Sequence, residues 1–246
     1  MIPVTVHGAE GRMGRLVTAL VEETDGLRLA ALVTEPGREA PPGAFHPELP
    51  LTPQDRLAAV HPRGGVVVDF SLADALPGLL AGAAATAAPL VIGTTGYTAE
   101  QQAAIADHAR RLPVVQAANF SVGIPVLAEL LKRLAALLPD GFAAEQVETH
   151  HRHKRDRPSG TARALAATWR EARGAAAPPP VHSVRLGGFP GVHHWIVADD
   201  EEVLELRHTA LSRRAFLRGV VPAVRFAATA APGLYGMAEV LAAGRS

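Results

Sequence analysis

Short apolar runs alternate with amphipathic stretches along the first 120 residues. The apolar runs predict strands at residues 2–7, 27–33, 66–70, 90–92 and 114–117. The stretches between them predict helices at residues 12–23, 73–85 and 100–112, the last preceded by a capping-box pattern from Thr98 to Gln101. Alternation of strands and helices predicts an α/β fold with a parallel, doubly wound sheet.

The pattern changes from Val122 onward. An amphipathic helix is predicted at residues 126–138, a strand at 143–149 and a second helix at 160–173. Three further strands are predicted at residues 181–186, 194–198 and 203–208, and a helix after Pro232. Strands and helices in this arrangement predict a second domain of the α+β type over residues 122–231, after a first domain over residues 1–121.

Composition excludes several kinds of protein. Lys plus Arg and Asp plus Glu number 24 each, so no overall field attracts nucleic acid or a membrane. The sequence has no cysteine, which excludes disulfides, thiolate catalysis and zinc–thiolate sites. The N-terminus does not have the pattern of a signal peptide, and no apolar stretch approaches the roughly 20 residues of a membrane span. We expect a soluble, cytoplasmic protein.

Three loops follow predicted strands and could hold one ligand. The first, VHGAEGRMGR, carries Gly8, Gly11 and Gly14 between a strand and a helix, a context that suits a pyrophosphate but also an ordinary turn. The other two are GTTG (residues 93–96) and AANFS (residues 117–121). Ligands bind at the carboxyl ends of strands in open α/β sheets, so the three loops together favour a dinucleotide.

The segment LVTEPGR bears on which dinucleotide could bind, because it lies at the end of the second predicted strand. A carboxylate at that position accepts hydrogen bonds from the adenosine ribose. Glu35 could do so, or Thr34 and Arg38 could hold a 2′-phosphate. Both alternatives stay open from the sequence.

The segment HHRHKRDRPSGTA (residues 150–162) concentrates basic side chains in a chain of zero net charge. His150, His151 and His153 could ligate a metal, but the adjacent cations oppose one. A nucleic-acid contact or a solvated basic loop would use the same charges. The fourth interpretation is an acid–base site for an anionic substrate: PSGTA begins a helix whose amides, with the Ser159 and Thr161 hydroxyls, form a carboxylate cradle. Histidine titrates near neutral pH, and Lys154 adds a positive charge or a proton.

The block E-x-HHRHK-x-D-x-PSGTA at residues 148–162 resembles the signature of the 4-hydroxy-tetrahydrodipicolinate reductase family, also called dihydrodipicolinate reductases, of bacterial lysine and diaminopimelate synthesis. The resemblance extends over nearly the whole chain through GAEGRMG, GTTG, ANFSVG and SRRAF, in that order. It implies a Rossmann domain completed by residues 232–246, and a substrate domain whose open sheet builds a homotetramer. The implied reaction uses NADH or NADPH, without a metal, to reduce a cyclic dicarboxylate with loss of water.

The resemblance also implies roles for single residues. His150 falls on the acid–base position and Lys154 on the proton-donor position. Substrate positions are His151, Gly160 and Thr161, beside Ser159 of the cradle. Cofactor positions are Gly8, Ala9, Glu10, Gly11, Arg12, Met13, Gly93, Thr94, Thr95, Ala117, Ala118, Asn119 and Phe120, beside Thr34 and Glu35.

The sequence departs from the family pattern at two places. Thr34 stands where the family usually has an acid, and Glu35 where it often has a basic residue, so both NADH and NADPH remain candidates. Arg155 and Arg157 stand where small or apolar residues are more frequent. Two other functions fit the sequence less well. A non-catalytic dinucleotide-binding regulator would not need His150 and Lys154. An aspartate-type dehydrogenase would leave the segment KRDRPSGTA unexplained.

Overall fold

Residues 1–244 are described by a computed structural model, in which the chain divides into two units. One unit comprises Met1–Phe120 and the segment from Leu217 onward, and the other comprises Ser121–Phe216. The domains expected from the sequence are residues 1–121 completed by 232–246, and residues 122–231; of these, residues 245 and 246 lie outside the described part of the chain.

The first unit is built on a seven-stranded sheet in which every neighbouring pair is parallel. The strands are β1 (Ile2–His7), β2 (Leu27–Thr34), β3 (Leu51–Pro53), β4 (Val66–Asp69), β5 (Leu90–Ile92), β6 (Pro113–Gln116) and β11 (Gly233–Tyr235). Their order is β11-β6-β5-β4-β1-β2-β3, so the chain leaves β1 toward β2 and β3 and then resumes on the other side with β4. The switch point of this doubly wound sheet therefore lies between β1 and β4, where such sheets bind ligands.

Helices cover both faces of this sheet. They are α1 (Arg12–Glu22), α2 (Leu57–Val60), α3 (Leu76–Thr86), α4 (Ala99–Ala109), α7 (Val220–Ala227) and α8 (Met237–Ala243). Alternate residues of β4 enter opposite cores: Val66 and Val68 pack in the one that includes α1 and α7, and Val67 in the one that includes α3 and α4. Burial on both faces explains why this strand reads as a continuous apolar run. The predicted capping box of α4 is confirmed, with Thr98 N donating to Gln101 Oε1 (3.0 Å) and Gln101 N to Thr98 Oγ1 (3.2 Å).

The C-terminal part of the chain differs from the prediction. The prediction of a helix directly after Pro232 was wrong for Gly233–Tyr235. These residues form β11, which pairs with β6. Helix α7 was not predicted, because Pro222 and its β-branched neighbours have low helix propensity. Val220, Val224 and Ala227 are nevertheless buried against the first sheet, so tertiary packing forms the helix and returns the chain to the first unit at Leu217.

The second unit contains a four-stranded mixed sheet, as predicted. Its strands are β7 (Ala143–His150), β8 (Val181–Arg185), β9 (Gly191–Ala198) and β10 (Val203–Ala210), in the order β10-β9-β7-β8. Only the β7–β8 pair is parallel within this sheet. Helices α5 (Gly123–Leu137) and α6 (Gly160–Arg173) pack on one face around Trp169 and Trp195, whose ring centroids are 5.7 Å apart.

The other face of this sheet is uncovered within the unit. On β10 the side chains that alternate with the core-facing Leu206 are exposed, and so is Val184 on β8. Within residues 1–244, none of the helices combines the length and the apolar character that crossing a membrane would require.

Candidate active site

The glycine loop between β1 and α1 can hold an anion. Gly8 has φ +75°, and a Cβ atom on it would lie 2.7 Å from the Phe70 carbonyl oxygen; a Cβ on Gly14 would lie 2.1 Å from the Gly8 oxygen. Only glycine fits at these two positions. Gly11 immediately precedes α1, and no side chain of the described chain caps this helix. The first-turn amides of α1 therefore remain available to a phosphate, with the positive end of the helix dipole behind them.

The same loop is fixed to the end of β2. Gly8 N and Ala9 N both donate to Val33 O, at 2.9 and 3.1 Å. Beyond this anchor the Thr34 hydroxyl donates to Glu10 Oε2 (2.8 Å), and Arg38 contacts Glu10 Oε1 (2.9 Å). The Glu35 carboxylate is 65% exposed and contacts Arg38 at 3.4 Å. Glu10, rather than Glu35, is the carboxylate that lies against Thr34.

The predicted cofactor residues after β5 and β6 line two cavities of the first unit. A cavity of about 360 Å³ is bordered by Thr94, Thr95, Gly96, Tyr97, Gln102, Gln116, Ala117 and Ala118. A second, of about 240 Å³, is bordered by Met13, Phe70, Ser71, Leu72, Ala73, Gly93, Thr94 and Thr95. The side chain of Phe120 is fully buried in the core, so only its backbone could reach a ligand. The exposed Arg12 opens α1, Asn119 is half-buried, and neither borders these cavities.

A buried polar group supports the second cavity and was not predicted. His7 Nδ1 and Asp69 Oδ1 are 2.7 Å apart at the ends of β1 and β4, and both side chains are buried. Ser71, on the cavity wall, donates its backbone N–H and its hydroxyl to the same Asp69 oxygen (3.2 and 2.6 Å). Asp69 thus fixes Ser71 at the switch point of the sheet.

In the second unit, His150 ends β7 and is 7% exposed. Its Nδ1 lies 2.5 Å from Glu148 Oε2. Residues two apart on a strand share a face, so Glu148 and His150 meet by the regular period of β7. With Nδ1 bonded to Glu148, Nε2 is the ring nitrogen left for proton exchange. A Cβ atom on Gly191 would lie 3.1 Å from Nε2, so this glycine leaves room there.

Glu148 is itself held from two sides. Arg185, the register partner of His150 on β8, donates to both carboxylate oxygens at 2.9 and 2.6 Å. Ser159 N, at the start of α6, donates to Glu148 Oε1 at 3.3 Å. Burial raises the pKa of Glu148, but hydrogen bonds from Arg185 foremost, and from His150, bring its pKa below the ordinary value. No role was predicted for Glu148 or Arg185; the available signal was the spacing Glu-x-His at the end of a predicted strand.

The two buried histidines of this site favour the uncharged form. Burial lowers the pKa of His150, the Glu148 carboxylate opposes that shift, and the Lys154 and Arg185 charges add to it. His193 packs edge-on to His150 with ring centroids 5.5 Å apart, and burial lowers the pKa of His193 to about 4. His150 is therefore mostly neutral at neutral pH, with a fixed orientation.

Helix α6 begins at Gly160, the predicted start, and the Ser159 hydroxyl is used within the chain. Ser159 is 2% exposed, and its Oγ accepts from Ala162 N at 3.1 Å, so this hydroxyl caps the helix. Gly160 is exposed and Thr161 half-buried. Lys154 Nζ contacts Asp156 Oδ1 at 2.8 Å.

The rest of the basic segment lies at the surface. Arg152, His153, Arg155 and Arg157 are exposed, while His151 is half-buried with its ring centroid 6.3 Å from that of His153. Across the described residues, no three His, Cys, Asp or Glu side chains are grouped so that they could hold a metal ion.

A doubly wound sheet with an uncapped glycine loop, followed by a mixed sheet carrying a carboxylate-backed histidine, has the features of a two-domain enzyme that binds a dinucleotide. Family models described as the N-terminus and the C-terminus of dihydrodipicolinate reductase match residues 2–120 and 123–241. The chain belongs to the dihydrodipicolinate reductase family.

Relatives and one solved structure agree with this assignment. The chain is 37% identical to the 4-hydroxy-tetrahydrodipicolinate reductase of Anaeromyxobacter dehalogenans (strain 2CP-C) and 41% identical to that of Rubrobacter xylanophilus, covering 98% of each sequence compared. The dipicolinate-bound dihydrodipicolinate reductase from Paenisporosarcina sp. TG-14 shares the fold, with a TM-score of 0.77 and 23% identity over 97% of this chain and 99% of that one. The resemblance seen in the sequence is confirmed.

Proposed function

We propose that the protein reduces 4-hydroxy-tetrahydrodipicolinate to tetrahydrodipicolinate with loss of water, in lysine and diaminopimelate synthesis. The observation that carries this proposal is the buried Glu148–His150 pair beside Lys154 and the start of α6. Relatives bearing this activity in their names are similar over nearly the whole chain. A non-catalytic regulator would have no use for a histidine so oriented.

The reaction needs a hydride and a proton. Loss of the 4-hydroxyl as water leaves a conjugated imine, which gains hydride at carbon and a proton from an acid. When bound, the reduced nicotinamide supplies the hydride, and the residues of the chain bind, orient and protonate.

His150 Nε2 exchanges the proton. The ring is mostly neutral in the free protein, and the two carboxylates of the substrate raise its pKa when they bind, because opposite charges favour the imidazolium. Lys154 gives the second positive charge, and once the substrate displaces it from Asp156 it is the source of the proton that His150 passes on.

The substrate carboxylates bind at the start of α6. Gly160 presents its backbone, Thr161 its hydroxyl and His151 its ring, while Ser159 supports the cradle through its cap. The related Paenisporosarcina structure holds dipicolinate, a planar dicarboxylate of the same class.

The cofactor is NADH or NADPH, bound in the first unit, and the reaction uses no metal. The uncapped start of α1 would hold its pyrophosphate, and residues that line the two cavities at the strand ends would hold the rest of the nucleotide. The binding residues are Gly8, Ala9, Glu10, Gly11, Arg12, Met13, Thr34, Glu35, Gly93, Thr94, Thr95, Ala117, Ala118, Asn119 and the backbone of Phe120.

The test follows NAD(P)H absorbance with freshly generated product of the preceding synthase. The wild-type protein should oxidise NAD(P)H, and His150→Gln should lower kcat by roughly a hundredfold or more while nucleotide binding stays nearly intact. His153→Gln, an exposed histidine of the same segment, is the matched control. Near-normal turnover of His150→Gln, or loss of its nucleotide binding, contradicts the assigned role.

A further inference from the structure

Glu10, in the glycine loop, stands where the adenosine ribose would be recognised. We propose that its carboxylate receives the ribose hydroxyls and makes the protein prefer NADH over NADPH. This inference rests on the proposed function, because it concerns the cofactor of that reaction.

The end of β2 is the structural reason. Rossmann sheets carry an acid at this position to accept hydrogen bonds from the ribose 2′-hydroxyl. Here the position is occupied by Thr34, which is 5% exposed and cannot supply a carboxylate. Its hydroxyl instead donates to Glu10 Oε2 at 2.8 Å. Thr34 therefore brings the carboxylate of another loop to the place where the strand itself offers none.

Glu10 is fixed at this place by its backbone as well as its side chain. The two preceding amides, of Gly8 and Ala9, bond to Val33 O in β2, and Arg15 Nε donates to the Glu10 carbonyl at 3.1 Å. The Glu10 side chain is 21% exposed, so its carboxylate is held from behind yet open to a ligand. Each carboxylate oxygen has a second lone pair beyond the Thr34 and Arg38 contacts, enough for two ribose hydroxyls.

The charges at this place discriminate between the nucleotides. A ribose 2′-hydroxyl donates to a carboxylate, whereas a 2′-phosphate would bring close to two negative charges beside it. The Arg38 guanidinium is already paired with Glu10 Oε1 at 2.9 Å and with Glu35 Oε1 at 3.4 Å, so these two carboxylates compensate its charge before a phosphate could. Glu35 is 65% exposed and contacts Arg38 rather than Thr34, so it has less influence on the ribose.

The experiment measures the Kd of NADH and of NADPH by nucleotide fluorescence, without substrate. Wild type should bind NADH at least tenfold more tightly. Glu10→Gln should raise the Kd of NADH about tenfold, because hydrogen bonds to a charged acceptor are stronger than those to a neutral one. The Kd of NADPH should be unchanged or lower. Thr34→Val removes the hydrogen bond that holds the Glu10 carboxylate but keeps the carboxylate itself, so the Kd of NADH should rise about threefold. Glu39→Gln, an exposed carboxylate paired with Arg56, is the matched control.

Three results would overturn the inference: equal Kd values for the two nucleotides in wild type, an unchanged ratio in Glu10→Gln, or a larger change of the ratio in Glu35→Gln. Binding of both nucleotides with an unaltered ratio would overturn it while leaving the proposed reductase intact. Failure of wild type to bind either nucleotide would instead overturn the reductase itself. Thermal unfolding of each variant separates a lost contact from a lost fold, and Thr34→Val supplies the second, milder probe.

Discussion

At the scale of single residues, the charge balance around His150 depends on the buried ion pair behind it. Glu148 fixes the ring through Nδ1, and Arg185 donates to both oxygens of the same carboxylate, so the orientation of the ring depends on the Glu148–Arg185 ion pair. Burial of the ring is the main reason why a histidine bonded to a buried carboxylate still has a lowered pKa, and the charges of Lys154 and Arg185 add to the shift.

Replacing Glu148 should therefore shift a pH profile. Glu148→Gln keeps an acceptor oxygen but removes a charge that raises the pKa of His150, so that pKa falls further. If protonated His150 is the active form, activity is lost at a lower pH, and the alkaline limb of kcat/KM moves to lower pH. Turnover near pH 7.5 should drop about tenfold or more, the size usual for a group that orients a reactive histidine.

The control for this change is Glu145→Gln, an exposed carboxylate on the same strand, which should leave the profile in place. A variant at Glu148 with reduced kcat but an unmoved alkaline limb would show that Glu148 only supports the fold.

Residue-scale contacts were the least predictable from sequence. The motif placed His150, Lys154 and Thr161 together because they are close along the chain. Arg185 is 37 positions from Glu148, and Thr34 is 24 positions from Glu10, so strand register and loop anchoring bring them together. Periodicity cannot show such pairs before the order of the strands is known.

At the scale of elements, predictions succeeded where local signals agreed. Helix α6 has the predicted bounds Gly160–Arg173, since Ser159 caps its start and Gly174, with φ +65°, ends it. Helix α7 and strand β11 were missed because they form through packing and pairing with residues far away in the chain. Short elements without caps are decided by tertiary contacts.

The start of α6 gives the prediction at this scale. Thr161→Val keeps the shape of the side chain but removes its hydroxyl from the proposed carboxylate cradle. KM for the substrate should rise several-fold with kcat little changed, as expected when binding is lost equally in ground and transition states. Thr168→Val is the control. Thr168 lies two turns after Thr161 on the same helix, and its hydroxyl donates to Ala164 O, away from the proposed cradle. An unchanged KM would show that the Thr161 hydroxyl does not bind a substrate carboxylate.

At the scale of the whole molecule, the pattern of strands and helices predicted a parallel sheet followed by a separate sheet of the α+β type. What the pattern could not show is the uncovered face of the second sheet. Its strands carry exposed side chains there, among them Val184 and Val203 (39% and 59% exposed). An open sheet face with apolar side chains is a surface at which a further copy can pack.

We propose that this face builds the homotetramer that the family resemblance implies. Ile196 lies on it, in register with Glu145 on β7 and Glu205 on β10. Ile196→Glu would place a third carboxylate between these two, and like charges directly opposite each other on a sheet are destabilising. Sedimentation should give about four times 25.7 kDa for wild type and a smaller species for this variant at the same concentration. Leu137→Glu, on the helical side of the unit and 81% exposed, should remain tetrameric. A monomeric wild type, or an Ile196→Glu protein that stays tetrameric with an unchanged melting temperature, would show that the copies do not meet through this face.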